Sequence, residues 1–457
     1  MQLSSARSVR LDKRLFRPRD TRRLFGFLDL RRLLELPCTR RQLGLRGAPL
    51  RLDLRRLFGL SPYSWRVVAA LCALLVLSLT VACSGARRSA RERDVGPVAA
   101  KRNPFENARL YLNPDYVAKV EQATRERPAS AALYRKVATY PTAIWIDAIA
   151  RVPSIARALD DAKQQQMITG KPTLTVFVVY DLPNRDCAAK SSAGELTLNE
   201  NGEERYRTEF IDPIAASFRA HPDQPIAVIL EPDSLPNLAT NLGNRKCADS
   251  ADAYQRSVAY AIRLLAQNHV SVYLDAAHAG WIGWDDNRSR MARIFKRVLD
   301  MAGGVELIRG FATNVSNYNT LSGRDGKKME PSNPCPDELS YVRRLSDSLK
   351  RVGIKRKGFI VDTARNGKSG LRRKWGAWCN VKGAGLGERP RAITDDAPLD
   401  AYYWVKPPGE SDGVSDPTQP RFDASCRSPD SALDAPQAGE WFPAYFETLV
   451  RNAEPPL

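Results

Sequence analysis

Residues 226–233 read Ile-Ala-Val-Ile-Leu-Glu-Pro-Asp, a run of five apolar residues that leads directly into two acids. A short apolar run without alternating polar residues is typical of a parallel strand that is buried on both faces. The two acids then stand where that strand ends. The stretch therefore predicts a buried strand that delivers carboxyl groups to one end of a parallel sheet.

The same pattern occurs seven times after residue 103. The seven apolar runs are Ala143–Ile146, Val176–Tyr180, Ile226–Leu230, Val272–Leu274, Gly310–Ala312, Phe359–Val361 and Tyr402–Val405. Helix-like segments lie between them, such as 251–268 and 337–352. Repeated strand–helix units predict one large α/β domain over 103–457, with a barrel-like parallel sheet, rather than several small domains.

Each of the seven runs is followed by a polar residue. These residues are Asp147, Asp181, Glu231 with Asp233, Asp275, Thr313 with Asn314, Asp362 and Lys406. In a parallel barrel the carboxyl ends of the strands form one rim, which is where active sites lie. Asp can also end a strand as a turn former or helix cap, but that explains one or two cases better than seven. We therefore expect an acidic rim.

Tryptophans accompany these acids. Six of the eight Trp fall at or just after strand ends, namely Trp145, Trp281, Trp284, Trp375, Trp378 and Trp404. Such flat rings stack on the apolar faces of sugar rings, although core packing is the alternative for any one of them. Core packing is less expected for Trp281 and Trp284, because their segment is rich in glycine.

The rest of the composition narrows the chemistry. The chain has only three His, with no Gly-rich phosphate loop, no G-x-S-x-G motif and no metal-spaced His pair, so we expect neither cofactor nor metal. Paired acids among aromatic residues suggest glycoside hydrolysis, in which one protonated carboxyl donates to the leaving oxygen and an ionised group activates water. The donor needs a raised pKa, which burial or a neighbouring carboxylate supplies.

The formal net charge of +19 is concentrated near the N-terminus. Residues 1–66 carry a net +12 and residues 67–102 a net +4, which leaves +3 for 103–457. A nearly neutral domain argues against a nucleic-acid or membrane-surface binder, so we expect no nucleic-acid partner.

The N-terminal segments indicate export. Residues 1–66 are rich in Arg and Leu, and we interpret them as an over-extended gene start or, alternatively, a basic cytoplasmic tail. Residues 67–82 form an apolar stretch that is short for a membrane span, and with Cys83 they resemble a bacterial lipoprotein signal. A plain signal peptide and an uncleaved anchor remain alternatives for 67–83. Residues 84–102 are predicted to be a disordered linker.

Five cysteines lie in the large domain, and none shows C-x-x-C spacing. They are Cys187, Cys247, Cys335, Cys379 and Cys426. In an oxidising compartment, two disulfides and one free thiol are the natural expectation.

Several motifs in order resemble one known family. They include Tyr-Asp-Leu-Pro-Asn-Arg-Asp-Cys at 180–187, Glu-Pro-Asp-Ser-Leu at 231–235, Leu-Asp-Ala-Ala-His-Ala-Gly-Trp at 274–281, Trp-Gly-Ala-Trp-Cys-Asn at 375–380 and Trp-Val-Lys-Pro-Pro-Gly-Glu-Ser-Asp-Gly at 404–413. Over 103–457 the chain resembles glycoside hydrolase family 6, whose cellobiohydrolases and endoglucanases cleave β-1,4-glucan with inversion. The resemblance implies that family's distorted seven-stranded barrel.

The resemblance also implies roles for individual residues. Asp233 would be the general acid, Asp186 would raise its pKa, and Asp412 would be the base, acting directly or through a water chain at Ser192. Tyr180 would distort the sugar ring, and Arg185 would be an electrostatic partner of the acids. The implied sugar-binding residues are Trp145, Asp147, His278, Trp281, Trp284, Asn314, Trp378, Lys406 and Glu410. The family's disulfides map onto Cys187–Cys247 and Cys379–Cys426, which leaves Cys335 free.

The family divides into exo- and endo-acting enzymes by its loops. Residues 412–441 form a long segment that resembles the roofing loop of cellobiohydrolases, so exo action is the favoured interpretation and endo action the alternative. A catalytically silent glycan-binding protein on the same scaffold is a further alternative. We expect a secreted, periplasmic or surface-held monomer that acts on β-1,4-glucan chains, with membrane attachment through Cys83 or 67–82 as an option.

Overall fold

The structure is a computed structural model and describes residues 102–323, 330–396 and 398–457. The predictions for the Arg-rich leader, the apolar segment, Cys83 and all but the last residue of the linker lie outside the described residues. Within the described part of the chain, no helix is both long and apolar enough to cross a membrane.

The described residues contain nine strands, which belong to one sheet. They are β1 Arg109–Leu110, β2 Ile144–Ile146, β3 Thr173–Val179, β4 Ile226–Leu230, β5 Val270–Asp275, β6 Gly310–Thr313, β7 Gly358–Asp362, β8 Arg391–Ala392 and β9 Leu399–Tyr403. Their order is β1-β3-β4-β5-β6-β7-β9-β8, and β2 pairs with β3 beside β1. All pairs are parallel except β8–β9. The seven predicted runs correspond to β2–β7 and β9.

The last strand differs from its predicted position. We expected a strand over Tyr402–Val405, but β9 covers Leu399–Tyr403. The ladder ends there because the backbone N–H groups of Val405 and Lys406 donate to the carboxylate of Asp362, at 3.2 and 3.0 Å, instead of to a neighbouring strand. The end of β9 is thereby tied to the end of β7.

The helices lie between the strands in sequence. They are α1 Pro114–Glu126, α2 Ala131–Val137, α3 Ser154–Thr169, α4 Gly202–Arg205, α5 Asp212–Ala220, α6 Leu235–Thr240, α7 Arg245–Leu265, α8 Ala279–Ile282, α9 Asp285–Ala302, α10 Glu338–Arg351 and α11 Pro443–Arg451. The predicted helices over 251–268 and 337–352 correspond to α7 and α10. Helix α7 begins earlier than predicted because the Asn244 side chain accepts from the N–H of Lys246 and caps it.

The sheet curls into a distorted barrel. The N–H of Ala143, just before β2, donates to the carbonyl of Trp404, just after β9, at 3.1 Å, so the first and last long strands approach each other. Alternate residues of β3 pack on opposite faces. Val176 and Val178 belong to the inner core cluster, whereas Phe177 and Val179 belong to the outer cluster beneath the helices. The prediction of strands buried on both faces is therefore confirmed.

Candidate active site

The turns that follow β3, β4, β5 and β6 contain non-glycine residues with positive φ. These include Asp186 (52°), Glu231 (51°), Asp233 (57°), Ala277 (56°) and Asn314 (60°). Such conformations cost roughly 1–3 kcal/mol each and are concentrated at functional sites. The rim predicted from the strand ends is therefore also the part of the fold where backbone strain is concentrated.

Two adjoining cavities open at this rim. The first has a volume of about 330 Å³ and is lined by Asp186, Asp233 and Asp412. The second has a volume of about 230 Å³ and is lined by Asp147 and Glu410. Tyr180, Ser192, Trp145 and Lys406 line both cavities. These shared residues make the two cavities neighbouring parts of one groove.

Asp233 is held by its backbone and not by its carboxyl group. Its N–H donates to Asp275 Oδ2 at 3.1 Å, and its carbonyl accepts from the Asn237 amide. Within the described residues, no donor lies within hydrogen-bond distance of its carboxyl oxygens. Burial raises the pKa of Asp233 well above its usual range, and the charges of Asp186, Asp275 and Asp412 raise it further. The geometry thus favours a protonated acid that faces the cavity.

Asp186 and Asp275 flank this acid. Burial raises the pKa of Asp186 to about 6, while Lys246 and Arg185 oppose that rise. Burial also raises the pKa of Asp275 to about 7, opposed by the N–H groups of Asp233 and Ala277 that donate to its carboxylate. Among these three acids, Asp233 has the fewest groups that stabilise its ionised form.

Asp412 has the opposite environment. Its Oδ1 accepts from Arg365 at 2.7 Å. Its Oδ2 accepts from the Tyr318 hydroxyl at 2.6 Å and from the N–H of Asn380 at 2.8 Å. Arg365 is almost fully buried, so this ion pair is shielded from water. Three donors, one of them a buried guanidinium, therefore contact the Asp412 carboxyl group, two on Oδ2 and one on Oδ1.

Arg185 supports the loop between β3 and α4. Its guanidinium donates to the carbonyls of Ser192 and Asp147, both at 2.7 Å, and to Asp181 at 3.3 Å. It also lies 4.3 Å from the centre of the Tyr180 ring. Arg185 therefore acts on the acids through its charge and by fixing the backbone, since its described hydrogen-bond partners do not include Asp186 or Asp233.

Four of the tryptophans line the first cavity, namely Trp145, Trp281, Trp375 and Trp378. The indole N–H of Trp145 donates to the carbonyl of Val405 at 2.9 Å, and that of Trp281 donates to Thr240 Oγ1 at 2.7 Å. These bonds fix the two rings while leaving them only partly buried. Trp375, to which we assigned no sugar contact, is exposed enough to offer one.

Two tryptophans lie away from that cavity lining. Trp284 packs against Trp375, with ring centres 5.5 Å apart, at the outer edge of the groove. Trp404 is fully buried, and its N–H donates to the carbonyl of Glu388 at 3.0 Å. Core packing is therefore the correct interpretation for Trp404.

The polar residues predicted to bind sugar are divided between cavity and core. His278 lines the first cavity, and its ring nitrogens lie 2.7 and 3.0 Å from the amide nitrogens of Asn319 and Asn317. Burial and Arg372 lower the pKa of His278 to about 3, so it is neutral. Asn314 is fully buried, and its amide donates to the carbonyl of Asp362 at 2.9 Å. The Asn314 side chain thus holds two strand ends together, and its predicted contact with sugar stays a prediction.

Glu410 and Lys406 lie at the second cavity. Glu410 pairs with Lys119 of α1 at 2.9 Å. The Lys406 ammonium lies 5.3 Å from the centre of the Trp145 ring. Asp147 lies on the same side and remains partly exposed. This end of the groove therefore presents charged groups around one aromatic face.

The sequence did not reveal several residues of the site. Asn237 and Asn241 line the first cavity without any motif that marked them. Ser316 and Asn317 also line it, and they lie in the family-like stretch Ala-Thr-Asn-Val-Ser-Asn-Tyr at 312–318, in which only Asn314 was given a role. Arg365 lies within the quoted family region, but its partner Asp412 is 47 residues away in sequence. The importance of Arg365 follows only from this contact, which the folded structure shows and the sequence does not.

The cysteines pair as the resemblance implied. Disulfides join Cys187 to Cys247 and Cys379 to Cys426, and Cys335 is free and buried. Across the described ranges, no group of three or more His, Cys, Asp or Glu is arranged to hold a metal ion.

Comparison with known proteins gives consistent matches. The model of "Glycosyl hydrolases family 6" matches residues 105–453. Exoglucanase 3 of Agaricus bisporus is 43% identical over 357 residues, which cover 78% of this chain and 80% of that protein. The 1,4-beta-D-glucan cellobiohydrolase CEL6C of Podospora anserina is 42% identical over 365 residues, covering 78% of this chain and 89% of that protein.

Solved structures that resemble this chain belong to the same group of enzymes. The chain matches cellobiohydrolase II (Cel6A) from Humicola insolens in complex with glucose and cellotetraose, with a TM-score of 0.75 and 38% identity, over 78% of this chain and 100% of that one. The named relatives are fungal proteins. The bacterial source suggested by the lipoprotein-like signal therefore has no support among them.

Proposed function

The chain belongs to glycosyl hydrolases family 6 and is a glycoside hydrolase, and on that premise we propose an inverting, exo-acting β-1,4-glucanase that acts on cellulose or cello-oligosaccharides. The observation that carries the proposal is the contrast at the first cavity. Asp233 has a carboxyl group without a described donor beside other buried acids, whereas the Asp412 carboxyl group accepts from three donors that include the buried Arg365. This is the acid-and-anion pair that glycoside hydrolysis needs.

In the proposed mechanism, Asp233 donates its proton to the glycosidic oxygen as the bond to the anomeric carbon breaks. Water attacks the opposite face of the sugar, which inverts the anomeric configuration. Asp186 raises the pKa of Asp233 and helps to hold that water. Because donors already contact both Asp412 oxygens, we favour an indirect role for Asp412, in which the proton of the attacking water passes through further water at Ser192 and is taken up by the Asp412 carboxylate.

Other residues position the substrate in this proposal. Tyr180 lies between the two cavities with its ring held by Arg185, where it would crowd the sugar at the cleavage point. Trp145 would stack on the next sugar, and Lys406 and Glu410 would bind its hydroxyls. Trp281 and Trp378 would hold the leaving side of the chain, with Trp375 and Trp284 at the outer edge.

Exo action is supported by two loops that meet beside the groove. The N–H of Lys190 donates to Asp423 at 3.0 Å, and Ser191 Oγ lies 3.6 Å from Cys426 Sγ. These contacts join the loop that carries Asp186 to the 412–441 segment. Such a roof favours threading of a chain end, consistent with the exoglucanase and cellobiohydrolase names of the relatives.

We further propose that the protein is exported and acts as a monomer. The two disulfides in the domain support an oxidising compartment. Attachment to a membrane through Cys83 or 67–82 is the finer proposal, and mass spectrometry of the mature N-terminus would test it.

The test of function follows the anomeric protons of cellotetraose by NMR from the start of the reaction. We expect the α-anomer of the new reducing end to form first and then to mutarotate. Initial β-anomer would contradict inversion. Binding of cellotetraose without turnover would instead favour a catalytically silent glycan-binding protein.

A further inference from the structure

The loop that carries Asp186 rests on the first three turns of α7. The contacts are the Cys187–Cys247 disulfide, Tyr254 OH donating to the carbonyl of Asn184 at 2.7 Å, the Asn184 amide donating to Ser250 Oγ at 3.2 Å, and Lys246 Nζ donating to the carbonyl of Arg185 at 3.3 Å. Four contacts within four loop residues fix the backbone on both sides of Asp186. Three of them join uncharged groups, and Lys246 supplies the charged one.

The covalent structure brings the backbone of Lys246 close to that of Asp186. Asp186 directly precedes Cys187 and Lys246 directly precedes Cys247, and the Cα atoms of the bridged cysteines are 4.9 Å apart. The described residues place no carboxylate oxygen within ion-pair distance of Lys246 Nζ, and the side chain is half-buried. Its charge is therefore not neutralised by a direct partner and acts on Asp186.

An opposing charge approaches Asp186 from the 412–441 segment. Asp423 accepts from the N–H of Lys190 in the Asp186 loop at 3.0 Å. Its charge raises the pKa of Asp186, whereas Lys246 and Arg185 lower it. Asp233 and the phenols of Tyr180 and Tyr254 are further titratable groups that interact with Asp186. Asp186 thus lies between a cation on α7 and an anion on the facing segment.

We propose that Lys246 is a positioning residue which keeps Asp186 ionised while Asp233 holds its proton, and that Asp423 opposes it. This inference rests on the proposed acid role of Asp233 and adds a residue that sets the pH range of that pair. A nearby positive charge favours the ionised form of a carboxyl group and so lowers its pKa. Without the positive charge of Lys246, Asp186 and Asp233 both hold their protons more tightly. Both proton losses therefore move to higher pH.

The experiment measures kcat/KM for cellotetraose against pH with the full chain. For Lys246→Gln we expect both limbs of the profile to move to higher pH by about half a pH unit or more. At a pH on the acid limb, kcat/KM should then fall about threefold. Lys246→Arg keeps the charge and should restore the wild-type limbs. Asp423→Asn removes the opposing charge and should move the limbs down.

Arg245→Gln is the matched control, since it removes the neighbouring cation of α7, whose side chain is 95% exposed and pairs with Asp249. Both limbs of its pH profile should stay at the wild-type pH values. A loss of activity in Lys246→Gln without movement of the limbs would show a structural role and overturn the proposal. Upward movement in Asp423→Asn, or limbs in Lys246→Arg that match those of the Gln variant, would overturn it as well.

The wild-type profile separates this inference from the proposed function. A wild type that lacks turnover, or an Asp233→Asn variant that keeps full activity, would refute the proposed function. Unmoved limbs in Lys246→Gln, with a wild type that depends on Asp233, would refute the inference alone.

Discussion

Asp233 and Asp412 line the same cavity, but the two sides of the groove treat their carboxyl groups differently. On the side of β4 and β5, the backbone of Asp233 is fixed and its carboxyl group faces other acids. On the side of β7 and β9, Arg365, Tyr318 and the backbone of Asn380 all donate to Asp412.

The difference shows that the environment of each Asp side chain, and not the residue type, decides what its carboxyl group can do in catalysis. A buried carboxyl group among like charges keeps its proton, whereas one with a buried guanidinium partner stays ionised. Each side of the groove therefore predicts a distinct outcome when its carboxyl group or a partner is changed.

The largest effect is expected on the Asp233 side. Asp233→Asn keeps the size of the side chain but has no proton to donate, so kcat for cellotetraose should fall about 10³-fold. Cellotetraose binding, followed by tryptophan fluorescence, should persist because the sugar platforms remain. A variant with more than a tenth of wild-type kcat would remove Asp233 from the acid role.

On the Asp412 side, the largest effect is expected on stability. Arg365→Gln leaves a buried carboxylate without its cation, which should lower the free energy of unfolding by about 3 kcal/mol or more. Urea denaturation measures this loss. Lys350→Gln is the comparison, because it breaks a pair with Asp347 in which both side chains are exposed, and it should cost less than about 1 kcal/mol. Equal losses in both variants would contradict the described burial.

The smallest effect is expected from removal of one hydroxyl. Tyr318→Phe removes the bond to Asp412 and should cost about 1.5 kcal/mol, since the acceptor is charged. Tyr445→Phe removes a hydroxyl whose partners are the neutral Tyr318 hydroxyl and the carbonyl of Val381, so its cost should be smaller. The reverse order in thermal unfolding would show that Tyr318 does not support a charged Asp412.

Much of the fold was predictable because its signals are local. A continuous apolar run indicates a strand buried on both faces, and six of the seven runs overlap closely with observed strands. The β9 run was displaced because the bonds of Val405 and Lys406 to Asp362 depend on a neighbouring strand. Such a side-chain stop has no local signature.

The site was predictable in its residue types and less so in its contacts. Acids at strand ends indicated the rim, but the sequence could not tell which acid lacked a donor. Asn314 follows a strand just as the acids do, yet its amide bonds to backbone inside the core. The pair of Arg365 and Asp412 depends on residues distant in sequence, so only the folded chain reveals it.

The central claim is that Asp233 is the proton donor and Asp412 is not. The most direct measurement compares Asp233→Asn and Asp412→Asn on cellotetraose and on a cellobioside with a 2,4-dinitrophenyl leaving group, which departs without a proton. We expect Asp233→Asn to be near wild type on the dinitrophenyl substrate and about 10³-fold slower on cellotetraose. Asp412→Asn should be impaired on both substrates to a similar degree. Equal losses of Asp233→Asn on the two substrates would contradict the account.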